Sequence, residues 1–486
     1  MSERPDIFVF MCDQMTPFML GAYGQAAAQS PVIDGLSAEG VTFDAAYCNH
    51  PLCAPSRASM AAGRLPRRIR AFDNGSPLDC NVPTFMHAMR GAGYETVLSG
   101  KAHFIGPDQH HGFQRRLTAD CYPAAMAWMD DWSKPQAMNV GASVQRGHLF
   151  HSEPREWMYP QKYDQEVFFH TRRFLLNRAE RGSEQPLFMM ASFTQPHEPF
   201  SVTREYWDRI DPATIPEPKI PAQPADQLHQ MDRWLKTFHG QDDMEVSPQV
   251  TQCARRAYMA MILWLDDRLG ELRDVLAQTG RLDNTIIAIV SDHGEMLGER
   301  GCWFKRYFYE WSARVPLIFW GLKWIGSGLR EGRAVSLIDL FPTFCELGGA
   351  EPPEGIDGQS LAPLLTGKGG DWKDEAIVEY PSEGVRNVCR MVRRGKYKYM
   401  YVHNHPPRLF DVEADPAELE DLAGRAESAE VQRQLHDRCL EGWDPDEVER
   451  LIRQDQQDRL YVTTANEQGG KPDWEARPEP AELYMT

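Results

Sequence analysis

Short apolar runs alternate with helix-like segments over the first 350 residues. The apolar runs lie in DIFVFMCDQ (6–14), YETVLSGKAHF (94–104), PLFMMASFTQPHEPF (186–200) and NTIIAIVSDHGE (284–295), and each runs into a polar loop. SPVIDGLSAEG (30–40) and ARRAYMAMILWLDDRLGELRDVLAQTG (254–280) have helical features and end in glycine, and ARVPLIFWG and AVSLIDLFPTFCELGG add another strand and helix. Continuously apolar strands separated by helices are typical of a parallel sheet covered on both faces. The pattern predicts an α/β fold with a large, mostly parallel sheet between helices.

The pattern changes near residue 370. AIVEY, CRMVRRGKYKYMYV and PRLFDV alternate polar and apolar residues, which predicts a small antiparallel sheet. A charged helix, DPDEVERLIRQDQQDRLYVTTA, and an irregular tail follow. The predicted organisation is a catalytic α/β domain over 1–368, an α+β subdomain over 369–440, and a helix with an extended tail over 441–486. We predict that residues 133–163 form a long loop over the main domain.

Composition excludes several classes of protein. The chain has 486 residues and a formal charge of −18, which makes nucleic acid and anionic membranes poor partners. Its apolar runs are too short to cross a bilayer, and the start MSERPDIFVFMCDQ lacks the basic and long apolar regions of a secretory signal. The ten cysteines show no CxxC spacing, so most are expected to be reduced. We therefore expect a cytoplasmic protein without a nucleic acid or membrane partner.

Polar residues follow four of the predicted strands. They are Asp13 and Gln14, Lys101 and His103, His197, and Asp292 and His293. Each has an ordinary explanation when taken singly, since an aspartate can cap a helix and a histidine can be a satisfied polar residue. Ligands bind beyond the carboxyl ends of parallel strands, however, and this set of oxygens with one imidazole suits Ca²⁺, Mn²⁺ or Mg²⁺. Four strand ends together predict a metal site.

The stretch CNHPLCAPSRASMAAGR (48–64) raises the question of what Cys53 does. A core thiol, half of a disulfide, a metal ligand and a nucleophile are all possible. CAPSR matches C-x-P-S-R, the mark of sulfatases, in which the cysteine is oxidised to formylglycine. The wider pattern continues through Gly63 and Arg64, with Ala62 where the family usually has threonine. A buried thiol and a thiol nucleophile with a histidine partner remain as alternatives.

The resemblance extends over nearly the whole chain. MCDQMTPFMLGAYG, YCNHPLCAPSRAS, LSGKAHFIGPDQHHGF, MLGERGCWFK and the closing WDPDEV…PDWEARPEPAELY resemble choline-sulfatases, within the sulfatase family of the alkaline phosphatase superfamily. The resemblance implies an alkaline phosphatase-like fold, a small-molecule sulfate ester as substrate, and a partner enzyme that installs formylglycine at Cys53. It also implies one divalent metal, Ca²⁺ first and Mn²⁺ or Mg²⁺ as alternatives, bound by Asp13, Gln14, Cys53, Asp292 and His293.

The resemblance also implies the catalytic roles. One hydroxyl of the hydrated aldehyde attacks sulfur, and deprotonation of the second hydroxyl, here by His103, expels sulfate. Arg57 and Lys101 would hold the diol and share its charge. His197 and Lys305 lie where the family places residues that bind sulfate and protonate the leaving group.

Substrate contacts are implied in the same way. A quaternary ammonium is recognised by an aromatic face and an acidic side chain, and Trp128, Asn139, Glu383 and the tail residue Tyr484 match the family's pattern. Trp128 alone would more often be a packing aromatic. Two positions depart from the pattern: Met138 stands where the family usually has histidine, and Arg386 places a positive charge after Glu383.

The resemblance also implies a homo-oligomer, a dimer or a tetramer, in which the tail reaches a neighbouring subunit's active site; the alternative is a disordered end without a role. Three alternatives to a choline-sulfatase follow from the same residues. They are a phosphodiesterase or phosphonate monoester hydrolase of the same superfamily, a sulfatase for another small alkyl sulfate, and a non-catalytic anion-binding protein whose Cys53 stays a thiol.

Overall fold

The protein is described from a computed structural model, which covers residues 4–126, 131–133, 147–156, 158–241, 245–381, 383–470 and 472–475. Its strands, numbered in chain order, form three sheets. They are β1 Asp6–Cys12, β2 Val41–Phe43, β3 Ala46–Tyr47, β4 Glu95–Gly100, β5 Arg115–Arg116, β6 Leu187–Ser192, β7 Thr285–Ser291, β8 Arg314–Val315, β9 Leu317–Trp320, β10 Leu329–Glu331, β11 Val335–Ser336, β12 Glu375–Tyr380, β13 Cys389–Arg394, β14 Tyr397–Val402 and β15 Arg408–Asp411. The helices are Pro31–Glu39, Cys53–Ala62, Phe85–Gly91, Tyr159–Glu180, Arg204–Arg209, Gln230–Phe238, Pro248–Gln278, Glu310–Ala313, Leu340–Gly348, Ala362–Leu365, Ala429–Leu440 and Pro445–Gly469.

The largest sheet has eight strands in the order β10-β2-β9-β7-β1-β6-β4-β5. From β7 to β5 every neighbouring pair is parallel, whereas β9 runs antiparallel to both β7 and β2. A three-stranded sheet, β11-β3-β8, lies apart from it. The predicted fold class, a large and mostly parallel sheet, is confirmed.

Both faces of the main sheet are covered, which explains why its strands are apolar at every position. Along β1, Phe8 and Phe10 pack on one side with the helices Pro31–Glu39, Tyr159–Glu180 and Pro248–Gln278. Ile7 and Val9 pack on the other side with the helices Cys53–Ala62, Phe85–Gly91 and Leu340–Gly348. Successive side chains of a strand point to opposite faces, so a strand covered twice cannot alternate apolar with polar residues.

The C-terminal sheet has the order β12-β13-β14-β15 and is antiparallel throughout, as predicted. Gly395 has φ +55° in the tight connection between β13 and β14, a conformation that glycine adopts without steric cost. The predicted charged helix is present as Pro445–Gly469, and the Asp444 side chain accepts hydrogen bonds from the backbone N–H groups of Asp446 and Glu447. The proposed division of the chain at residues 368 and 440 stays a prediction.

One expectation is wrong in part. Residues 159–163, predicted to belong to a long loop, begin the 22-residue helix Tyr159–Glu180. Pro160 is the second residue of this helix. The helix buries a narrow stripe that includes Tyr163 and Val167, while most of its surface is polar. So narrow a stripe is a weak periodic signal.

All ten cysteines are unpaired thiols, as their spacing predicts, and Cys80 is the exposed one among them. In the described ranges of the chain, every helix is too short or too polar to span a bilayer.

Candidate active site

The four predicted strand ends lie level with one another at one edge of the main sheet. Residue 12 of β1 pairs with residue 291 of β7, residue 11 of β1 pairs with residue 192 of β6, and residue 192 pairs with residue 100 of β4. The residues that follow these strands therefore share one rim, as expected for the carboxyl edge of a parallel sheet.

Cys53 is the first residue of the helix Cys53–Ala62 and is 1% exposed. Its Sγ lies 3.1 Å from His293 Nε2 and 3.7 Å from Asp13 Oδ1. The next residue, Ala54, donates its backbone N–H to Asn74 Oδ1 at 3.0 Å, so a neighbouring loop satisfies one of the open donors of this helix end. The N-terminus of this helix therefore places Cys53 at the carboxyl edge of the main sheet.

Asp13, Cys53, Asp292 and His293 each direct one donor atom to a common point, and these atoms lie within 4.8 Å of one another. Burial lowers the pKa of His293, which keeps its imidazole neutral. Because Nδ1–H of His293 donates to the Gly294 carbonyl at 3.1 Å, the lone pair of Nε2 faces the cluster. Two carboxylates and an imidazole lone pair, all buried, fit a divalent cation, and the orienting carbonyl is typical of histidine ligands.

Two cations border the cluster on the side of Asp13. Lys101 Nζ forms an ion pair with Asp13 Oδ2, and Arg57 Nη2 lies 3.6 Å from the same oxygen. Burial would raise the pKa of Asp13, but Lys101 and the other nearby cations hold it well below its ordinary value. Arg57 also donates from Nε to Asp292 Oδ2 at 2.8 Å and from Nη1 to Ser192 Oγ at 2.9 Å. Arg57 therefore holds the side chain of Asp292 in place and lies close to that of Asp13.

Gln14, predicted as a metal ligand, has φ +66° and donates its backbone N–H to Asp292 Oδ1 at 3.0 Å. Its side-chain Nε2 donates to two buried carboxylates, Glu198 Oε2 at 2.6 Å and Glu295 Oε2. Its Oε1 accepts a hydrogen bond from Lys305 Nζ at 2.6 Å. The two carboxylates accept from Nε2, so they fix the orientation of the Gln14 amide and direct its Oε1 away from themselves. The role of Gln14 as a ligand stays a prediction.

His103 also has a positive φ, +58°, and its backbone N–H donates to Asp120 Oδ2 at 2.9 Å. Its ring stacks on Tyr122 with centroids 4.5 Å apart, and Lys101 Nζ lies 4.3 Å from the centroid of the same tyrosine. Burial, together with Lys101, holds the pKa of His103 well below its ordinary value. The imidazole is therefore neutral, the form that can accept a proton, but burial and the nearby cation make it a weak base.

His197 and Lys305 contact each other directly. Lys305 Nζ donates to His197 Nε2 at 2.5 Å, and His197 Nδ1–H donates to the Glu198 carbonyl at 2.6 Å. The Glu198 carboxylate lies 3.9 Å from Lys305 Nζ. His197 follows strand β6, so its contact with Lys305 joins the end of that strand to the loop that carries Lys305. Gln14, which follows strand β1, contacts the same lysine.

Glu383 is the predicted substrate contact that the structure describes, and it is buried in an ion pair. Arg306 Nη2 donates to Glu383 Oε2 at 2.6 Å, and the guanidinium lies 5.0 Å from the ring centroid of Phe238. Arg386 is half-buried. The other three predicted contacts and position 138 lie outside the described residues: Trp128, Asn139, Tyr484 and Met138.

Sequence reasoning missed several residues of this site, and three of them lie beside predicted ones. Arg306 follows Lys305 directly, Glu198 follows His197, and Glu295 lies two residues after His293. Asp120 and Tyr122 belong to no motif used in the prediction. The adjacency of Arg306 to Lys305 in FKR is the signal that could have indicated a second cation.

Comparisons with known proteins agree with this geometry. A family model described as Sulfatase matches residues 5–350, and one described as "N-sulphoglucosamine sulphohydrolase, C-terminal" matches residues 298–456. The chain belongs to the sulfatase family, within the alkaline phosphatase superfamily, and its class is that of the sulfuric ester hydrolases.

Relatives and solved structures resemble the chain over most of its length. A choline-sulfatase from Rhizobium meliloti (strain 1021) is 35% identical over 496 residues, which cover 99% of this chain and 96% of the relative. A structure solved with its substrate, D-glucosamine-2-N,6-O-disulfate, is 26% identical with a TM-score of 0.73 and covers 91% of this chain and 99% of that one. The phosphonate monoester hydrolase of Agrobacterium radiobacter shares the fold at 24% identity, with a TM-score of 0.71 and coverage of 90% and 95%.

Proposed function

We propose that this protein hydrolyses a small alkyl sulfate monoester at Cys53, with choline sulfate as the first candidate substrate. The observation that carries the proposal is the position of Cys53, at a helix N-terminus against His293 and Asp13 with Arg57 and Lys101 alongside. The choline-sulfatase that is 35% identical over 99% of the chain supports the candidate substrate.

The proposal includes a divalent metal, Ca²⁺ first and Mn²⁺ or Mg²⁺ as alternatives, and formylglycine made from Cys53 by a separate enzyme. Asp13, Asp292 and His293 would hold the metal, with Gln14 and residue 53 completing its ligands. When present, the metal supplies Lewis acidity toward a sulfate oxygen, and the hydrated aldehyde supplies a nucleophilic hydroxyl. The buried lone pairs that converge here support this donor set.

The other residues of the site have distinct roles in the proposal. Arg57 and Lys101 hold the diol formed at residue 53 and share the negative charge that develops on it. His103, neutral because its pKa is held low, accepts the proton whose loss expels sulfate. Lys305 Nζ delivers a proton to the alkoxide oxygen as the sulfur–oxygen bond breaks, and His197 Nε2 orients the Lys305 ammonium.

Assembly and compartment are also proposals. Ten unpaired thiols support a reducing compartment, the cytoplasm. The tail supports a homo-oligomer of two or four subunits in which residues beyond 470 close a neighbouring active site.

Two other candidate functions have specific support. The Arg306–Glu383 ion pair favours a sulfatase for a different alkyl sulfate, because Glu383 already faces one cation. The phosphonate monoester hydrolase of similar fold favours a phosphorus ester, since the same metal and nucleophile could act on it.

The test is a mass spectrum and a substrate panel on protein purified from its native host. Conversion of Cys53 to formylglycine lowers the mass of its peptide by roughly 18 Da. Choline sulfate, n-propyl sulfate, an aryl phosphodiester and a phosphonate monoester are then compared by kcat/KM, with Cys53→Ala as the matched inactive control. An unmodified thiol, or a faster rate on either phosphorus ester than on both sulfates, would refute the proposal.

A further inference from the structure

We propose that Arg306 is a specificity-determining residue that binds a carboxylate on the substrate. The preferred substrate would then be an alkyl sulfate whose other end carries a carboxylate, with or without an ammonium group. The inference rests on the proposed hydrolysis of an alkyl sulfate, and within that class it places a carboxylate-bearing sulfate ahead of choline sulfate, the candidate taken from the similar choline-sulfatase.

Arg306 is linked to the active site in two ways, by its chain neighbour Lys305 and by its own backbone N–H. It follows Lys305, whose Nζ contacts His197, and its own N–H donates to the Pro51 carbonyl at 3.1 Å, two residues before Cys53. Its φ of +88° is unusual for a residue with a side chain, and such conformations cluster at functional sites. The local backbone thus holds Arg306, in an unfavourable conformation, against the segment that leads into Cys53.

The guanidinium of Arg306 is 4% exposed and has donors left over. Nη2 is bound to Glu383, but among the residues that the structure describes neither Nε nor Nη1 has an acceptor. A buried N–H without an acceptor costs free energy, because it has lost its hydrogen bonds to water. Donors left open next to a catalytic site indicate that a ligand supplies the acceptor.

The pattern of open donors selects the kind of acceptor. A guanidinium has two edges that can bind two oxygens at once. One edge is formed by Nε–H and one Nη2–H, and the other by Nη1–H and the second Nη2–H. Glu383 Oε2 takes one of these hydrogens, so one complete edge of Arg306 remains available. Two parallel N–H groups match the two oxygens of a carboxylate.

Choline sulfate does not match this arrangement. A trimethylammonium group offers no hydrogen-bond acceptor, and Arg306 would repel it by its charge. Glu383 and Arg306 together form a buried pair of opposite charges, which complements a zwitterion such as an O-sulfated amino acid. A carboxylate at the far end would bind Arg306, and an ammonium group, where present, would lie toward Glu383.

The test compares L-serine O-sulfate, choline sulfate and n-propyl sulfate on formylglycine-containing enzyme. These probes carry a carboxylate with an ammonium, a cation alone, and neither. The wild type should have a kcat/KM for L-serine O-sulfate about tenfold or more above that for n-propyl sulfate. Choline sulfate should be the poorest of the three. A wild type that prefers choline sulfate would overturn the inference and leave the sulfatase function intact.

Two variants of Arg306 distinguish the effect of its charge from the effect of its planar hydrogen-bonding edge. Arg306→Met should lower kcat/KM for L-serine O-sulfate about 10- to 100-fold more than that for n-propyl sulfate, mainly through KM. It should raise kcat/KM for choline sulfate. Arg306→Lys keeps the charge but lacks the planar edge, so it should recover only part of the loss. Arg386→Met is the matched control and should preserve the substrate order.

Other outcomes are equally decisive. An equal loss on all three sulfates in Arg306→Met would mean that Arg306 binds the sulfate group, which overturns the inference. If Arg306→Met does not fold, the double variant Arg306→Met/Glu383→Gln removes both charges, and the wild-type substrate order alone still decides. If no sulfate ester is hydrolysed but a phosphonate monoester is, the proposed function itself fails, and the inference fails with it.

Discussion

The helix Pro445–Gly469 is joined to the active-site region by a buried ion pair, and breaking that pair should destabilise the protein. Arg459 donates from Nη1 and Nη2 to the two carboxylate oxygens of Asp73, at 2.7 and 2.8 Å. The residue after Asp73 is Asn74, which accepts the backbone N–H of Ala54 beside Cys53. The pair therefore connects the last described helix to the loop that caps the helix of the candidate nucleophile.

The magnitude follows from burial. Arg459 is 4% exposed and Asp73 is 1% exposed, so Arg459→Met leaves a buried carboxylate without its cation. Removing one partner of a buried pair costs about 3–5 kcal/mol. At about 1.4 kcal/mol per tenfold change, the equilibrium constant for folding should fall roughly 10²- to 10³-fold or more.

Urea unfolding followed by tryptophan fluorescence measures this loss. The double variant Arg459→Met/Asp73→Asn should recover part of it, because the buried charge of Asp73 is removed. The carboxylate of Asp455, which also pairs with Arg459, stays without its cation but is 14% exposed. Arg433→Met is the matched control: Arg433 is 61% exposed and pairs with Glu430 and Asp437 on a helix surface. It should leave the unfolding midpoint close to that of the wild type, because solvent screens an exposed pair. If Arg459→Met unfolds at the same urea concentration as Arg433→Met, the ion pair does not hold the helix in place.

Four further predictions test the site and the fold. Cys53→Ser should give at most one turnover, because a serine sulfate ester lacks the second hydroxyl that expels sulfate; repeated turnover by this variant contradicts the mechanism. Chelation should abolish activity, and Asp292→Ala should do so without loss of the far-ultraviolet circular dichroism of the folded protein; full activity in metal-free protein excludes the metal site. Deleting 470–486, most of which lies outside the described residues, should weaken the oligomer and raise KM for choline sulfate more than KM for a small aryl sulfate; unchanged assembly and kinetics would show that the tail has no such role. Burial raises the pKa of Asp266 from 3.8 to about 7 in the folded protein, so the folded state keeps this proton at pH values where the unfolded state has lost it. The free energy of unfolding should therefore fall as pH rises from 3.8 to about 7. This slope should be smaller in Asp266→Asn, and an equal slope in both proteins rules Asp266 out as its source.

Several features of the site followed from local sequence. Asp13, Asp292 and His293 each come directly after an apolar run, and the carboxyl ends of parallel strands lie on one edge, so their convergence could be predicted without coordinates. Cys53 and Arg57 lie in the five-residue motif CAPSR, within which a helix places both side chains toward the same rim. The antiparallel C-terminal sheet followed from alternation of polar and apolar residues.

Other features required the tertiary structure. The Arg306–Glu383 pair joins residues 77 positions apart, and the contact between Gln14 and Glu198 joins residues 184 positions apart. No periodicity relates such positions. The orientation of the Gln14 amide depends on which acceptors surround it, and these come from different loops. The helix Tyr159–Glu180 was missed because its buried stripe is narrow.

Sequence alone determined the elements whose cause is local: strands that are apolar throughout, and the strand ends that carry carboxylate and imidazole side chains. The tertiary structure alone decided which charges neutralise one another, because partners in an ion pair are chosen by distance in space. That is why Glu383 could be matched to a family pattern by its position, whereas its pairing with Arg306 became visible only in the folded protein.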